Sequence, residues 1–304
     1  MHKEQLADAI HRAMPGLCLL VDEPMGAHTS FQVGGPVDIM LLPTSVEEVS
    51  QALRLLREHD VPRYVMGNGS NLLVRDGGIR GVVIKLGDNF GHATVEGTQL
   101  RAQAGISLTK LAHMAWQASL SGLEFASGIP GSLGGAIAMN AGAYGGEMAD
   151  VLQTVTCCDL EGQISVLDLD ELELGYRTSK VRKAKYVALE AVLQLRPGDK
   201  GMIREIMDEL NRRRREKQPL NFASAGSTFK RPPGYFAGKL IDDAGLRGTS
   251  IGDAQVSELH CGFVVNRGQA TASEILQLIN LVKERVWDKF QVELELEVQV
   301  VGED

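Results

Sequence analysis

The chain has 304 residues, of which 44% are hydrophobic and 23% charged, with a formal net charge of −8. That composition belongs to a globular protein long enough for two or three domains and a sizeable core. The acidic balance excludes nucleic acid or an anionic membrane face as the main partner.

An amphipathic helix pattern opens the chain over residues 3–14, and its charged sequence is unlike a signal peptide. No apolar run reaches transmembrane length. The four cysteines, Cys18, Cys157, Cys158 and Cys261, form no C-x-x-C pair. They read as reduced thiols with Cys157 or Cys158 facing a core, and the chain is expected to be cytoplasmic, without an obligate protein partner. "PTSVEEVSQALRLLREHD" predicts a helix capped at Thr44 or Ser45. "RYVMGNGSNLLV" predicts strand, glycine turn and strand, followed by short strands at "GVVIKL" and "QLRAQAG" and a helix opened by Ser107. Residues 151–195 return to strands at "LQTVTCCDL", "QISVLDL" and "KYVALEAVLQL". Strand pairs alternating with single helices indicate an α+β chain rather than a βαβ series.

Pro197, Gly198 and Gly201 read as a hinge, so a domain boundary is expected near residue 200, with domains at 1–200 (split near 90) and 201–304. A long charged helix follows, then a polar, glycine-rich stretch. The chain closes with the helix "TASEILQLINLVKERVWDKF" and the strand "QVELELEVQVVG".

Two segments need explanation. "MGNGSN" (66–71) is glycine-rich, and "SGIPGSLGGAIAMNAGAYGG" (127–146) holds seven glycines in twenty residues. Bare backbone at this density means either tight turns and close packing or an array of amides facing an anion such as a phosphate. Neither segment is a G-x-G-x-x-G fingerprint, and no G-K-[ST] P-loop is present. No His, Cys and Asp set has metal-ligand spacing, so no metal is expected.

Taken in order, "TSFQVGGPVDIMLLPTSVEEV", "MGNGSNLLVRDGGIRGVVI", "SGIPGSLGGAIAMNAGAYGGE", "YRTSK", "KQPLNFASAGSTFKRPPG", "AGKLIDDAGLRG", "HCGFVVN" and "LELEVQVVG" resemble the motifs of the UDP-N-acetylenolpyruvoylglucosamine reductase family, over nearly the whole chain. The resemblance implies a two-subdomain FAD-binding fold of the vanillyl-alcohol oxidase and p-cresol methylhydroxylase type, plus a C-terminal α+β substrate-binding domain. It implies NADPH-dependent reduction of UDP-N-acetylglucosamine enolpyruvate to UDP-N-acetylmuramate through FAD, a step of peptidoglycan precursor synthesis. Cofactor contacts are then expected at Gly67, Asn68, Gly69, Ser70, Asn71 and Leu72, and at Ser127, Gly128, Ile129, Pro130, Gly131, Gly134, Gly135, Asn140 and Gly142. Relatives with covalent flavin carry a histidine where this chain has Ser70, so the FAD is expected to be dissociable.

The implied chemistry needs a cation at the substrate carboxylate and an acid over the neighbouring carbon. The resemblance assigns Ser227 as proton donor, Arg177 to the carboxylate, and Glu297 to both carboxylate and proton delivery. Read without it, Ser227 is a turn serine and Arg177 a surface residue. Glu293, Glu295 and Glu297 then share the solvated face of a half-buried strand, with nothing to separate them. Substrate contacts are implied at Tyr176, Lys217, Gly226 and Lys230. Arg212, Arg213 and Arg215 read as a solvated helix face. Tyr144, Tyr235 and Phe236 could pack on rings or in a rim, and His260 is given no catalytic role. Val181 or Lys180 stands where members of the family often have a phenylalanine after "YR-x-S-x". The interval from Arg177 to Lys217 is too short for the tyrosine-bearing loop of the longer subtype. Two alternatives stay open at this point: an oxidase of the same fold, and a non-catalytic module that retains the cofactor fold.

Overall fold

The computed structural model describes residues 3–304. A four-stranded sheet runs in the order Cys18–Pro24, Pro36–Leu42, Ile79–Lys85, Arg63–Met66. Its last pair is parallel, with Arg63 opposite Val82 and Met66 opposite Lys85. A five-stranded antiparallel sheet runs Ile164–Asp168, Leu152–Cys158, Val187–Gln194, Gln99–Gln103, Ala93–Glu96. The strands expected at "RYVM", "GVVIKL", "QLRAQAG" and over residues 151–195 are therefore present, and Ala93–Glu96 joins them.

The chain forms two compact units. Among the described residues the first holds 3–21, 39–68 and 81–214; the second holds 22–38, 69–80 and 215–304. The division thus falls at Arg214, within helix Lys200–Lys217, rather than near residue 200, because Ile203 and Met207 of that helix are buried in a core of the first unit. Two N-terminal segments, moreover, belong with the C-terminal residues.

The first unit has two cores. Helices Lys3–Ala13 and Val46–Glu58 contribute Leu6, Ile10, Val49, Leu53 and Leu56 to one, over Ile39, Leu41, Val82 and Ile84. Ser45 caps the second helix by accepting the Glu48 amide, which settles the Thr44 or Ser45 choice. Helix Leu108–Gln117, capped by Ser107, lies in the other with Leu133, Ile137, Val155 and Leu193. Cys157 and Cys158 are neighbours, yet both are fully buried, because they enter different cores. The strand is covered on both faces, and its pairing with Val187–Gln194 shifts register between Thr156 and Cys157. Burial pushes the Cys157 thiol up to about 12 and Cys158 up to about 11.

The second unit packs helices Ala237–Asp243 and Ala272–Phe290 on a three-stranded sheet of Ser250–Ile251, Ala254–Val256 and Val264–Asn266. A capping box between Thr271 and Glu274 opens the long helix. Residues 291–302 form less strand than expected. Leu296 makes one bridge with Phe229, and only Gln299–Val301 pairs as a strand, parallel to Leu72–Val74. Among the described residues, no helix is long and apolar enough to cross a membrane.

Candidate active site

In the first unit the two glycine segments meet. A methyl group on Gly67 would overlap the Ser132 hydroxyl, so only glycine fits where the chain leaves strand Arg63–Met66. No protein acceptor meets the amides of Gly67 and Asn68, nor those of Gly128, Gly131, Ser132 and Gly135, among the described residues. Gly135 is exposed. Other expected cofactor residues hold the loop itself. The Ser127 amide and hydroxyl both donate to the Glu124 carbonyl, and its oxygen accepts from Asn211 at 3.2 Å. The Ile129 amide is bonded to Ala126 and that of Gly134 to Ala104. Pro130 is exposed and has no amide hydrogen, and Gly142 pairs with Glu147 in a short hairpin. Asn140 is buried with φ 42°; its Oδ1 accepts from Ala149, while its Nδ2 has no partner.

Arg214 completes this group, although its place in a run of four arginines hid it. Ile203 and Met207 face the core, and Asn211 and Arg214 continue the same face at helical spacing. Arg214 packs on Gly128, where an added methyl would lie 3.1 Å from its Cδ. Desolvation pushes its pKa below the ordinary value, with Tyr144 acting the other way. No carboxylate pairs with it among the described residues. A desolvated cation packed on Gly128, in a segment with four amides without acceptors, suits a diphosphate.

Tyr176 and Arg177 form the tip of a two-residue turn closed by reciprocal 3.1 Å bonds between Gly175 and Thr178. Arg177 has φ 56°, its carbonyl accepts from Arg182, and its guanidinium lies 5.1 Å from the Tyr176 ring centre. The turn is moored by the fully buried Ser179. Its hydroxyl donates to the Ala138 carbonyl at 2.9 Å, at the end of the short helix Leu133–Ala138 within the second glycine segment. It also accepts the Arg182 amide. Sequence reasoning quoted this serine within "YRTSK" without seeing its work; its spacing before Arg182 is an N-cap signal.

In the second unit Gly69 has φ 63°, and a methyl there would overlap the His28 carbonyl. The Asn71 side chain is engaged with the Glu297 carbonyl at 3.1 Å, and Leu72 is buried in its strand. The Ser70 amide has no protein acceptor among the described residues. Gly226 (φ 75°, open space around it) turns the chain into the half-buried Ser227. The Ser227 hydroxyl makes no hydrogen bond to the described protein, unlike an ordinary turn serine. Thr228 next to it is fully buried and gripped from two sides. Its amide donates to Gly262, its hydroxyl accepts from Val264 at 2.9 Å, and its carbonyl accepts the Glu297 amide at 2.9 Å. Ser227 and Glu297 are thereby brought together, while Arg177 belongs to the first unit. The structure also separates the three glutamates: Glu293 and Glu295 are exposed, and Glu297 is half-buried. Lys230 pairs with Glu295 at 2.9 Å, and Lys217 is exposed at the end of its helix. His260 stacks edge-on against Phe263 and accepts the Gly262 amide; burial holds its pKa below the ordinary value.

Comparison with known proteins identifies the family. A family model described as UDP-N-acetylenolpyruvoylglucosamine reductase, C-terminal domain, matches residues 218–301, and one described as FAD binding domain matches 37–168. A UDP-N-acetylenolpyruvoylglucosamine reductase of Alkaliphilus oremlandii is 51% identical over 304 residues, covering 100% of both chains. The chain belongs to the UDP-N-acetylenolpyruvoylglucosamine reductase family. The reductase of that name from Clostridioides difficile is 55% identical over 284 residues, 93% of each chain. The crystal structure of the Thermus caldophilus reductase superposes with a TM-score of 0.80 at 37% identity, covering 94% of this chain and 99% of that one. As a member of the reductase family the chain has the two-domain α+β fold, with an FAD-binding domain.

Proposed function

We propose that this chain reduces the enolpyruvyl ether of UDP-N-acetylglucosamine to UDP-N-acetylmuramate in the cytoplasm, with NADPH as reductant and dissociable FAD as carrier. One observation carries the catalytic reading: Ser227 presents an unbonded hydroxyl from a glycine turn, and the carbonyl of the next residue holds the backbone of Glu297. FAD, when bound, supplies hydride transfer from NADPH to the terminal vinyl carbon. The chain supplies the rest. The amides of Gly67 and Asn68, with those of Gly128, Gly131, Ser132 and Gly135, would hold the cofactor diphosphate and Arg214 would offset its charge, and Gly69 and Ser70 are the further contacts that the first glycine motif implies. Ser127, Ile129, Pro130, Gly134, Asn140, Gly142 and Leu72 shape that cradle.

Arg177 stabilises the negative charge that develops on the substrate carboxylate, its planar fork matching two oxygens. The turn tip holds this side chain at fixed backbone geometry instead of leaving it on a flexible surface. Ser227 delivers a proton to the α-carbon, and Glu297 helps hold the carboxylate and assists that delivery. A serine hydroxyl is a poor acid, so its leftover charge must be stabilised nearby or reprotonated at once. Lys217 meets the UDP diphosphate, and Tyr176, Gly226 and Lys230 line the substrate. With the long tyrosine loop missing, the chain matches the shorter subtype of the family.

The test is rapid mixing of the purified yellow protein. NADPH should bleach Ser227→Ala as fast as the parent, and the enolpyruvyl substrate should then fail to restore colour. Normal recovery of colour in that variant would remove Ser227 from the reaction.

A further inference from the structure

We propose that Asn71 is a positioning residue for Glu297, acting through the peptide that joins Glu297 to Val298. The inference rests on the reading above in which Glu297 takes part in the reduction.

Around Glu297 the chain changes partners. Leu296 bridges Phe229 in antiparallel fashion, while Gln299 opens a parallel ladder with Leu72. A backbone group at such a change has no regular ladder partner and must be satisfied some other way. The Glu297 amide is taken by the Thr228 carbonyl at 2.9 Å, and the Glu297 carbonyl by Asn71 Nδ2 at 3.1 Å. Asn71 grips the same segment a second time, its own carbonyl accepting the Gln299 amide at 3.0 Å. One asparagine therefore fixes positions 297 and 299 together, and Val298 between them is buried. The two peptide planes that flank the Glu297 side chain are each clamped: the one before it by the carbonyl of Thr228, the neighbour of Ser227, and the one after it by Asn71, the last residue of the first glycine segment. A donor is essential at position 71, since a carbonyl can be held only by an N–H or O–H group. Leucine or aspartate, of similar size, offers none. Asn71 thus has a task beyond the cofactor contact that its motif suggests.

The experiment compares Asn71→Asp, Asn71→Ala, Glu297→Gln and the double variant Asn71→Asp/Glu297→Gln, all as FAD-loaded full chains. Three readings are taken: FAD affinity of the apo-protein by fluorescence, bleaching by NADPH, and colour recovery with the enolpyruvyl substrate. Misplacing Glu297 should slow colour recovery on the order of 10- to 100-fold in both Asn71 variants. FAD affinity is measured so that FAD can be kept saturating, since the motif also places Asn71 at the cofactor, and bleaching should stay within about two-fold of the parent. In the double variant Asn71→Asp should slow recovery no further than Glu297→Gln alone, because both changes remove one function. A merely structural asparagine would slow bleaching and recovery alike, or multiply the defect of Glu297→Gln; either result overturns the proposal. Recovery at the parental rate in both Asn71 variants also overturns it and leaves the role of Glu297 intact. Recovery at the parental rate in Glu297→Gln instead overturns the reading of Glu297 and, with it, this proposal.

Discussion

Replacing Ser179 by alanine separates the moored turn of Arg177 from ordinary surface loops. The serine is fully buried; its hydroxyl donates to Ala138 and accepts the Arg182 amide. Loss of a serine N-cap costs about 1 kcal/mol. The Ala138 carbonyl, left without its donor, adds roughly another 1 kcal/mol at the low end for an unsatisfied buried group. A total of about 2 kcal/mol corresponds to a melting shift of about 4–8 °C in a unit of this size. Since the short helix within the second glycine segment and the Arg177 turn are joined by this hydroxyl, both should loosen together. Ser179→Ala should therefore melt earlier and recover colour slowly with the enolpyruvyl substrate, while Ser179→Thr keeps most of both. The measurements are a thermal scan of the holo-protein and single-turnover mixing. A Ser179→Ala protein that melts with the parent and turns over normally would refute the reasoning.

Three further outcomes are expected. Gly67→Ala should lose FAD on gel filtration because its methyl meets Ser132; Ser132→Gly in the same chain should restore part of the binding, and no restoration would locate the clash elsewhere. Arg214→Met should weaken FAD retention while leaving the apo-protein no less stable, since a desolvated cation without a partner is costly to bury. Calorimetry with and without FAD decides, and a destabilised apo-protein with normal FAD affinity counts against a diphosphate role. The Cys157 thiol titrates higher folded than unfolded, so its contribution is complete below about pH 9 and is lost as pH rises toward about 12. Near pH 10 the loss is about 1.4 kcal/mol. Urea melts of Cys157→Ala at about pH 8 and pH 10 should show a flatter alkaline decline than the parent, and an identical decline would exclude this thiol.

Much of the fold could be read from sequence where local signals and packing agree. The caps at Ser107 and Ser45 and the long helix after Thr271 stand where the pattern puts them. Residues 291–298 alternate like a strand, but their neighbours are a single bridge and a turn, so strand periodicity overstated the ladder. The division into units was not legible, because residues 22–38 and 69–80 join the C-terminal unit through contacts that no local composition marks. The two glycine segments and the Ser227 turn were visible as motifs. Which amides in them stay unbonded was not, since Ser127, Ile129 and Gly134 look like their neighbours in sequence and differ only in tertiary partners. Arg214 could have been separated from its run by extending the spacing of Ile203 and Met207 by two more turns, through Asn211. Glu297 could not, because its partial burial depends on Thr228 and Asn71, far away along the chain.

The parallel pairing of Leu72–Val74 with Gln299–Val301 also bears on biosynthesis. Asn71 and Glu297 are 226 positions apart. At about 5–20 residues per second, a ribosome needs roughly 10–45 s to cover that distance. Throughout that interval an apolar, β-prone tripeptide waits with its hydrogen-bonding edge unmet, although the first unit has all its residues by Arg214. Such an edge invites pairing with a stranger. Newly made chains should therefore lean on chaperones until the last strand emerges, and shortening the tail by a few residues should harm solubility well before it harms the flavin-binding half.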